Sequence, residues 1–177
     1  FDYWLSKSIQ FNLNPLLSRN GVKERFEGDG SEVIVDEALK FIAGQTDKKK
    51  PFFVVVWYST PHRDFEASEE DVAPYLGRTD DSSALQLGEL AAMDRSLGTL
   101  RNGLKDLGIE KNTLLWFTSD NGGLPDVAYR PDLPGVHPDT TGHLRGFKKD
   151  LYEGGIRVPT IIEWPGTIEH RVSHYPS

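Results

Sequence analysis

Two short polar clusters each follow an apolar run with the composition of a buried strand. Ser59-Thr60-Pro61-His62 comes after Phe52-Phe53-Val54-Val55-Val56-Trp57-Tyr58, and Asp120-Asn121-Gly122-Gly123 comes after Thr113-Leu114-Leu115-Trp116-Phe117-Thr118-Ser119. In open α/β sheets ligands gather beyond the carboxyl ends of the strands, which makes both clusters candidates for a site. Residue type alone leaves each of them open. His62 also reads as an ordinary loop or core histidine, and Asn121-Gly122 as a tight turn, because that dipeptide accepts positive φ at both positions. An anionic substrate would need a local reversal of sign, since 20 Lys and Arg face 27 Asp and Glu for a net charge of -7.

The elements that would position these clusters can be followed along the chain. Residues 1–28 have no apolar period and read as loop with irregular turns. Asp29-Gly30-Ser31-Glu32 offers an N-cap with a glutamate three positions on, and Ile34, Val35, Ala38, Phe41 and Ile42 recur at helical spacing, with Gly44 as the expected end. From Ser83 to Leu107, Leu90, Met93, Leu97, Leu100, Leu104 and Leu107 alternate at intervals of three and four, the pattern of an amphipathic helix, and Gly108 stands where a left-handed C-cap belongs. The apolar runs at 52–58 and 113–119 suit strands buried on both faces, and Thr160-Ile161-Ile162-Glu163-Trp164 is a third strand. Strand, helix, strand, loop and strand in that order predict an α/β fold, a mostly parallel or mixed sheet flanked by helices. The stretch from Gly122 to Gly146, with Pro125, Pro131, Pro134 and Pro138, is too long for an ordinary connector.

Composition narrows the function classes. At 177 residues, 37% hydrophobic and 11% aromatic, the chain suits one globular domain or part of one. Its acidic balance supplies no field for nucleic acid or anionic lipid. With no cysteine there is no disulfide framework, thiolate zinc site or cysteine nucleophile in this stretch. No run approaches a membrane span, and Phe1 to Ser6 lacks the form of a signal peptide. The only methionine is Met93, and neither end resembles a natural terminus, so the expectation is an internal piece of a longer protein.

The most specific stretch is Leu144-Arg145-Gly146-Phe147-Lys148-Lys149-Asp150-Leu151-Tyr152-Glu153-Gly154-Gly155-Ile156-Arg157-Val158-Pro159. A Gly-x-Lys segment followed by Tyr-Glu-Gly-Gly-Ile-Arg-Val-Pro, downstream of a strand ending in Asp-Asn-Gly, resembles the sulfatase family. The strand ending near Pro61-His62 matches a third element of that family, and Asp36 to Ile42 matches the helix before it. Four such motifs in the right order are far more specific than one.

The resemblance implies an alkaline-phosphatase-like sulfatase domain, of which residues 1–177 would be the central part, and hydrolysis of sulfate esters by the whole protein. It implies that Asp120 and Asn121 are two oxygen ligands of a calcium ion, a pairing that suits a hard cation, with the remaining ligands absent from this chain. It implies that His62 and Lys148 contact the sulfate and act in catalysis, with Lys148 ahead of its neighbour Lys149. A metal, an ammonium and an imidazole aimed at the sulfuryl and bridging oxygens would stabilise the charge that develops there. Glu153 and Arg157 are expected to be structural, and His143 a surface-loop histidine. The substrate class implied is a sulfate ester such as a sulfated glycan, and the setting periplasmic, secreted or lysosomal.

The chain departs from the family in its nucleophile. Sulfatases use a formylglycine made from Cys or Ser in a Cys/Ser-x-Pro-x-Arg motif near the N-terminus. Ser59-Thr60-Pro61-His62-Arg63 fits by letter but follows the strand where the family has Pro-His, and it runs on into acidic sequence. It is therefore read as a decoy, and this chain alone is expected to be inactive. A phosphate or phosphonate ester hydrolase of the same superfamily and a non-catalytic sulfated-glycan-binding remnant are the alternatives.

Overall fold

A computed structural model describes residues 2–7, 12–62, 64–124 and 141–172. The chain forms two units, residues 1–107 and 108–177.

The first unit opens with an antiparallel sheet, β1 (Leu5–Ser6), β2 (Leu16–Arg19) and β3 (Val22–Arg25), where irregular loop is expected from the sequence. Its hairpin turns at Asn20-Gly21 with φ of 48° and 92°, the left-handed pair that a two-residue turn requires. Leu17 of β2 is buried, and Arg19 pairs with the buried carboxylate of Glu37 on helix α1.

Helix α1 (Gly30–Asp47) begins as predicted. The Asp29 carboxylate accepts from the Ser31 N–H at 2.7 Å. Glu32 does not close a capping box. Its carboxylate instead takes the Arg95 guanidinium at 2.7 and 3.2 Å. Nor does Gly44 end the helix, which runs on to Asp47 and stops where Lys49 turns to φ 54°. A glycine inside a helix costs only about 1 kcal/mol, too little to break one that packs well along its length.

Helix α2 (Glu69–Val72) leads by a 3₁₀ turn to helix α3 (Asp81–Asp106), which starts two residues before the predicted Ser83 under an Asp80 cap and is closed by Gly108 at φ 68°, as its sequence predicts. The buried face of α3 carries Ala84, Gly88, Ala92, Ser96, Leu100 and Leu104 at four-residue steps. The small residues among them let neighbouring chain come close, as Gly88 does with Ala67 and the Asp71 backbone. Arg95 joins three helices, binding Asp71 of α2 at 2.7 and 3.0 Å as well as Glu32 of α1.

Residues 52–58 pair with no strand among the described residues, and their burial alternates. Phe53 and Trp57 are 85% and 80% exposed, whereas Phe52, Val54, Val56 and Tyr58 are half-buried. Only one face is covered, not the two that the continuous apolar run predicts. Tyr58 anchors that face to α3 through a 3.1 Å hydroxyl contact with Ser96.

In the second unit, β4 (Leu115–Thr118) and β5 (Thr160–Glu163) pair antiparallel, Leu115 opposite Glu163 and Thr118 opposite Thr160. The pairings between strands of both units are thus antiparallel among the described residues, where a mostly parallel or mixed sheet is expected. The faces are not both buried either, since Trp116 and Ile161 stand about 60% exposed. A short helix α4 (Glu153–Ile156) precedes β5.

Candidate functional site

Asp120 and Asn121 follow β4 after Ser119, at its carboxyl end, as the sequence implies. Neither Asn121 nor Gly122 adopts positive φ, so this is not the tight turn that the dipeptide permits. Gly122 is glycine for another reason. Its N–H donates to the Gly155 carbonyl at 3.0 Å, and a Cβ placed on it would be driven into the Gly154 carbonyl oxygen.

The contact belongs to an interlock of three chain segments. Lys148 donates its N–H to Gly123 at 3.0 Å, and Gly154 donates to Arg145 at 2.7 Å. A Cβ on Gly154 would strike Gly146, and one on Gly155 would strike the carbonyls of Asp150 and Phe147. Glycines here are a condition of close backbone approach, which a side chain would prevent. The segment after β4 is thereby tied to the Gly-x-Lys turn and to the first turn of α4.

Within the Gly-x-Lys turn, Asp150 donates its N–H to Phe147 at 2.9 Å while its carboxylate accepts from the Phe147 N–H at 3.2 Å. Lys148 occupies the second position and is half-buried. Lys149 occupies the third, exposed and at φ 84°, the sign that a type II turn needs there. Arg145 stacks its guanidinium 3.7 Å from the centre of the Tyr152 ring and donates to that hydroxyl at 2.8 Å. Glu153 and Arg157 form an exposed pair at 3.4 Å across one helical turn, in keeping with a structural role. His143 lies exposed in a turn. Pro125, Pro131, Pro134 and Pro138 lie outside the described residues.

The donor chemistry of Asp120 and Asn121 fits a hard cation. Asp120 presents an exposed carboxylate, and the Asn121 amide nitrogen donates to Gly122 at 3.1 Å, leaving its side-chain oxygen as the donor atom for a metal. Two such residues fall short of the six to eight oxygens that calcium takes. Among the described residues no group of three or more His, Asp or Glu could complete the shell.

His62 lies in the first unit. It closes a turn in which its N–H donates to the Ser59 carbonyl at 2.8 Å across the cis Thr60–Pro61 bond, and its side chain is exposed. Thr60 in the same turn is buried and its hydroxyl lies 3.3 Å from that of Ser31 at the start of α1. Ser59 is half-buried in the same turn, while Arg63, the last letter of the decoy motif, lies outside the described residues. The structure thus joins Asp120, Asn121 and Lys148 through one backbone network and holds His62 on a turn of its own.

Sequence reading missed Glu89 of α3. Its side chain is fully buried and burial pushes its carboxyl up to about 7. The only signal was its place on the small-residue face of α3, next to Gly88.

Comparison with proteins of known structure gives the class. Ps i-CgsB, crystallised in complex with k-i-k-neocarrahexaose, superposes with a TM-score of 0.71 at 30% identity, over 85% of this chain and 31% of that one. The structural neighbours are sulfatases of the alkaline-phosphatase-like fold, of which these two units form a part. The Sulfatase family model matches residues 1–177, and the chain belongs to that family. It is 35% identical over 150 residues to the N-acetylgalactosamine-6-sulfatase of Canis lupus familiaris, covering 84% of this chain and 26% of the relative. It is 31% identical over 134 residues to the steryl-sulfatase of Homo sapiens, covering 75% of this chain and 21% of the relative. The chain therefore spans about a quarter of the length of these curated relatives. No helix among the described residues is long and apolar enough to cross a membrane.

Proposed function

We propose that the whole protein is a sulfuric ester hydrolase, and that this chain supplies its sulfate contacts and part of its metal site. Membership of the sulfatase family along the full 177 residues carries the proposal. Asp120 and Asn121 would each give an oxygen to a calcium ion, whose chemistry at the site is to draw charge from the sulfuryl oxygens. Lys148 would offer an ammonium, and His62 an imidazole, to the sulfate, the roles that the family resemblance implies for them. Hydrolysis builds charge there and on the bridging oxygen, so donors fixed in advance stabilise the transition state more than the bound ester. The interlocked glycines support this role for Lys148, because they hold its backbone to the segment that follows Asn121.

The attacking group proposed is a formylglycine elsewhere in the protein, since this chain has no cysteine and Ser59 sits in the turn that carries His62. The relative named N-acetylgalactosamine-6-sulfatase and a neighbour crystallised with k-i-k-neocarrahexaose favour a sulfated glycan as substrate. Paired assays of the full-length protein on an aryl sulfate and the matching aryl phosphate test the reaction. Faster turnover of the sulfate is expected. Preference for the phosphate, or no turnover of either together with binding of sulfated glycan, overturns the proposal.

A further inference from the structure

The loop from Ser59 to Ser68 carries His62 and has no helix or strand among its described residues, so contacts from outside the loop are what tie it to the rest of the unit. Two buried side chains supply them. Asn12 donates its amide to the Asp64 carbonyl at 2.6 Å, and Glu89 of α3 accepts from the Glu66 N–H at 2.7 Å. Beside Glu89, Gly88 leaves room for Ala67, whose Cβ would stand only 2.9 Å from a Cβ at 88.

Both holding residues are costly. Glu89 is 0% exposed and its Oε2 has no hydrogen-bond partner among the described residues, and Asn12, 3% exposed, leaves its Oδ1 without one among them. Unpaired buried polar atoms are rare in folded proteins, and each calls for an explanation. Two on the residues that grip one loop have a common one: the loop's position is kept at some expense to stability. Among the described residues, the charges that act on Glu89 are those of Asp29, at the start of α1, and Glu66 on the loop, both acidic.

We propose that Glu89 is a positioning residue for His62, acting through the Glu66 N–H to fix the loop against α3. The proposal rests on the sulfate-contacting role given to His62 above. Glu89 touches no reacting atom in it. Misplacing a catalytic group by about 1 Å can cost on the order of 100-fold in rate, so a loop held at one end only would be felt in turnover before it was felt in binding.

The test uses the full-length protein with Glu89→Gln, which keeps an oxygen for the Glu66 N–H, and Glu89→Leu, which removes it at similar size. Gly88→Ala is a second route, since its Cβ would press on Ala67 while leaving Glu89 in place. With an aryl sulfate, Glu89→Leu and Gly88→Ala are expected to lower kcat roughly tenfold with KM changed less than about threefold, while Glu89→Gln stays within about twofold of the parent. In a His62→Ala background Glu89→Leu should cost nothing further. Losses that multiply in the double variant, or full kcat in both Glu89→Leu and Gly88→Ala, overturn the proposal. Amide hydrogen exchange of the same variants reads the clamp without activity: faster exchange confined to residues 60–68 supports it, and unchanged exchange there overturns it. Should the unsubstituted protein fail on sulfate esters, the sulfatase proposal fails with it, and the exchange result alone decides whether Glu89 holds the loop.

Discussion

The backbone N–H of Lys148 donates to the carbonyl of Gly123 at 3.0 Å. That bond ties a lysine to a residue two places beyond Asn121, although 25 positions separate the bonded pair in sequence. It also separates Lys148 from Lys149, which looks equivalent in composition but sits exposed at the left-handed position of the turn.

Substitution of Lys148 by Ala in the full-length protein is therefore expected to lower sulfate-ester turnover by roughly 10²- to 10³-fold, the scale of losing one fixed donor at a developing charge. Lys149→Ala should change it little. Steady-state kinetics in which the two losses are reversed would put the functional lysine one position later.

For the metal, Asp120→Ala should weaken calcium binding by the full-length protein, since it removes a formal charge from an oxygen set that a hard cation prefers. Metal content measured by mass spectrometry after dialysis should fall relative to the parent. Equal content in both proteins would remove Asp120 from the ligand set.

Much of this was legible in the sequence where the signal is local. The three- and four-residue spacing from Leu90 to Leu107 and the glycine after it define α3 and its C-cap without reference to anything distant. The hairpin at Asn20-Gly21 was missed because four-residue strands such as Val22-Lys23-Glu24-Arg25 offer too little alternation to outweigh their charges. Phe52 to Tyr58 shows the opposite limit, for an apolar run announces burial but not which faces are covered. The order of the motifs singled out Asp120, Asn121 and Lys148 as candidates, yet Gly122 looked like a turn residue, since the carbonyl that requires a glycine there belongs to Gly154, 32 positions away. Burial of Glu89 was equally hidden. It depends on what packs opposite one helix face.

Glu89 also makes the pH dependence of stability predictable. Its folded-state carboxyl titrates at about 7, above the ordinary glutamate value, because burial opposes ionisation. An acid with a raised pKa contributes its full stability below the ordinary value and loses it as pH rises through the folded one. Chemical denaturation of the chain should thus show lower stability at pH 8 than at pH 5, with Glu89 responsible for on the order of 2 kcal/mol of the difference. Glu89→Gln should narrow that difference. Glu37 works at the acid end, where burial is outweighed by Arg19 and Lys40, which hold its carboxyl at about 2. Its contribution is present above the ordinary value and fades as pH falls toward 2, so Glu37→Gln should flatten the acid limb only.

The glycine interlock predicts opposite signs for one substitution at two sites. Gly44 lies inside α1 with nothing within 4 Å of the place a Cβ would take, so Gly44→Ala should stabilise by about 0.5–1 kcal/mol through helix propensity alone. At Gly122 the same methyl meets the carbonyl of Gly154, a backbone group that cannot rotate away, and Gly154 is itself held by its bond to Arg145. Relief would require the segment after β4 to separate from α4, breaking the Gly122 to Gly155 hydrogen bond and pulling on the Lys148 to Gly123 bond beside it. Overpacking of this kind typically costs about 1–3 kcal/mol, and loss of the backbone bonds adds to it. Urea denaturation should move the two midpoints in opposite directions, Gly44→Ala upward and Gly122→Ala downward by the larger amount. A Gly122→Ala protein as stable as its parent would mean that the two segments are not interlocked, and Lys148 would then have no fixed place beside Asp120 and Asn121.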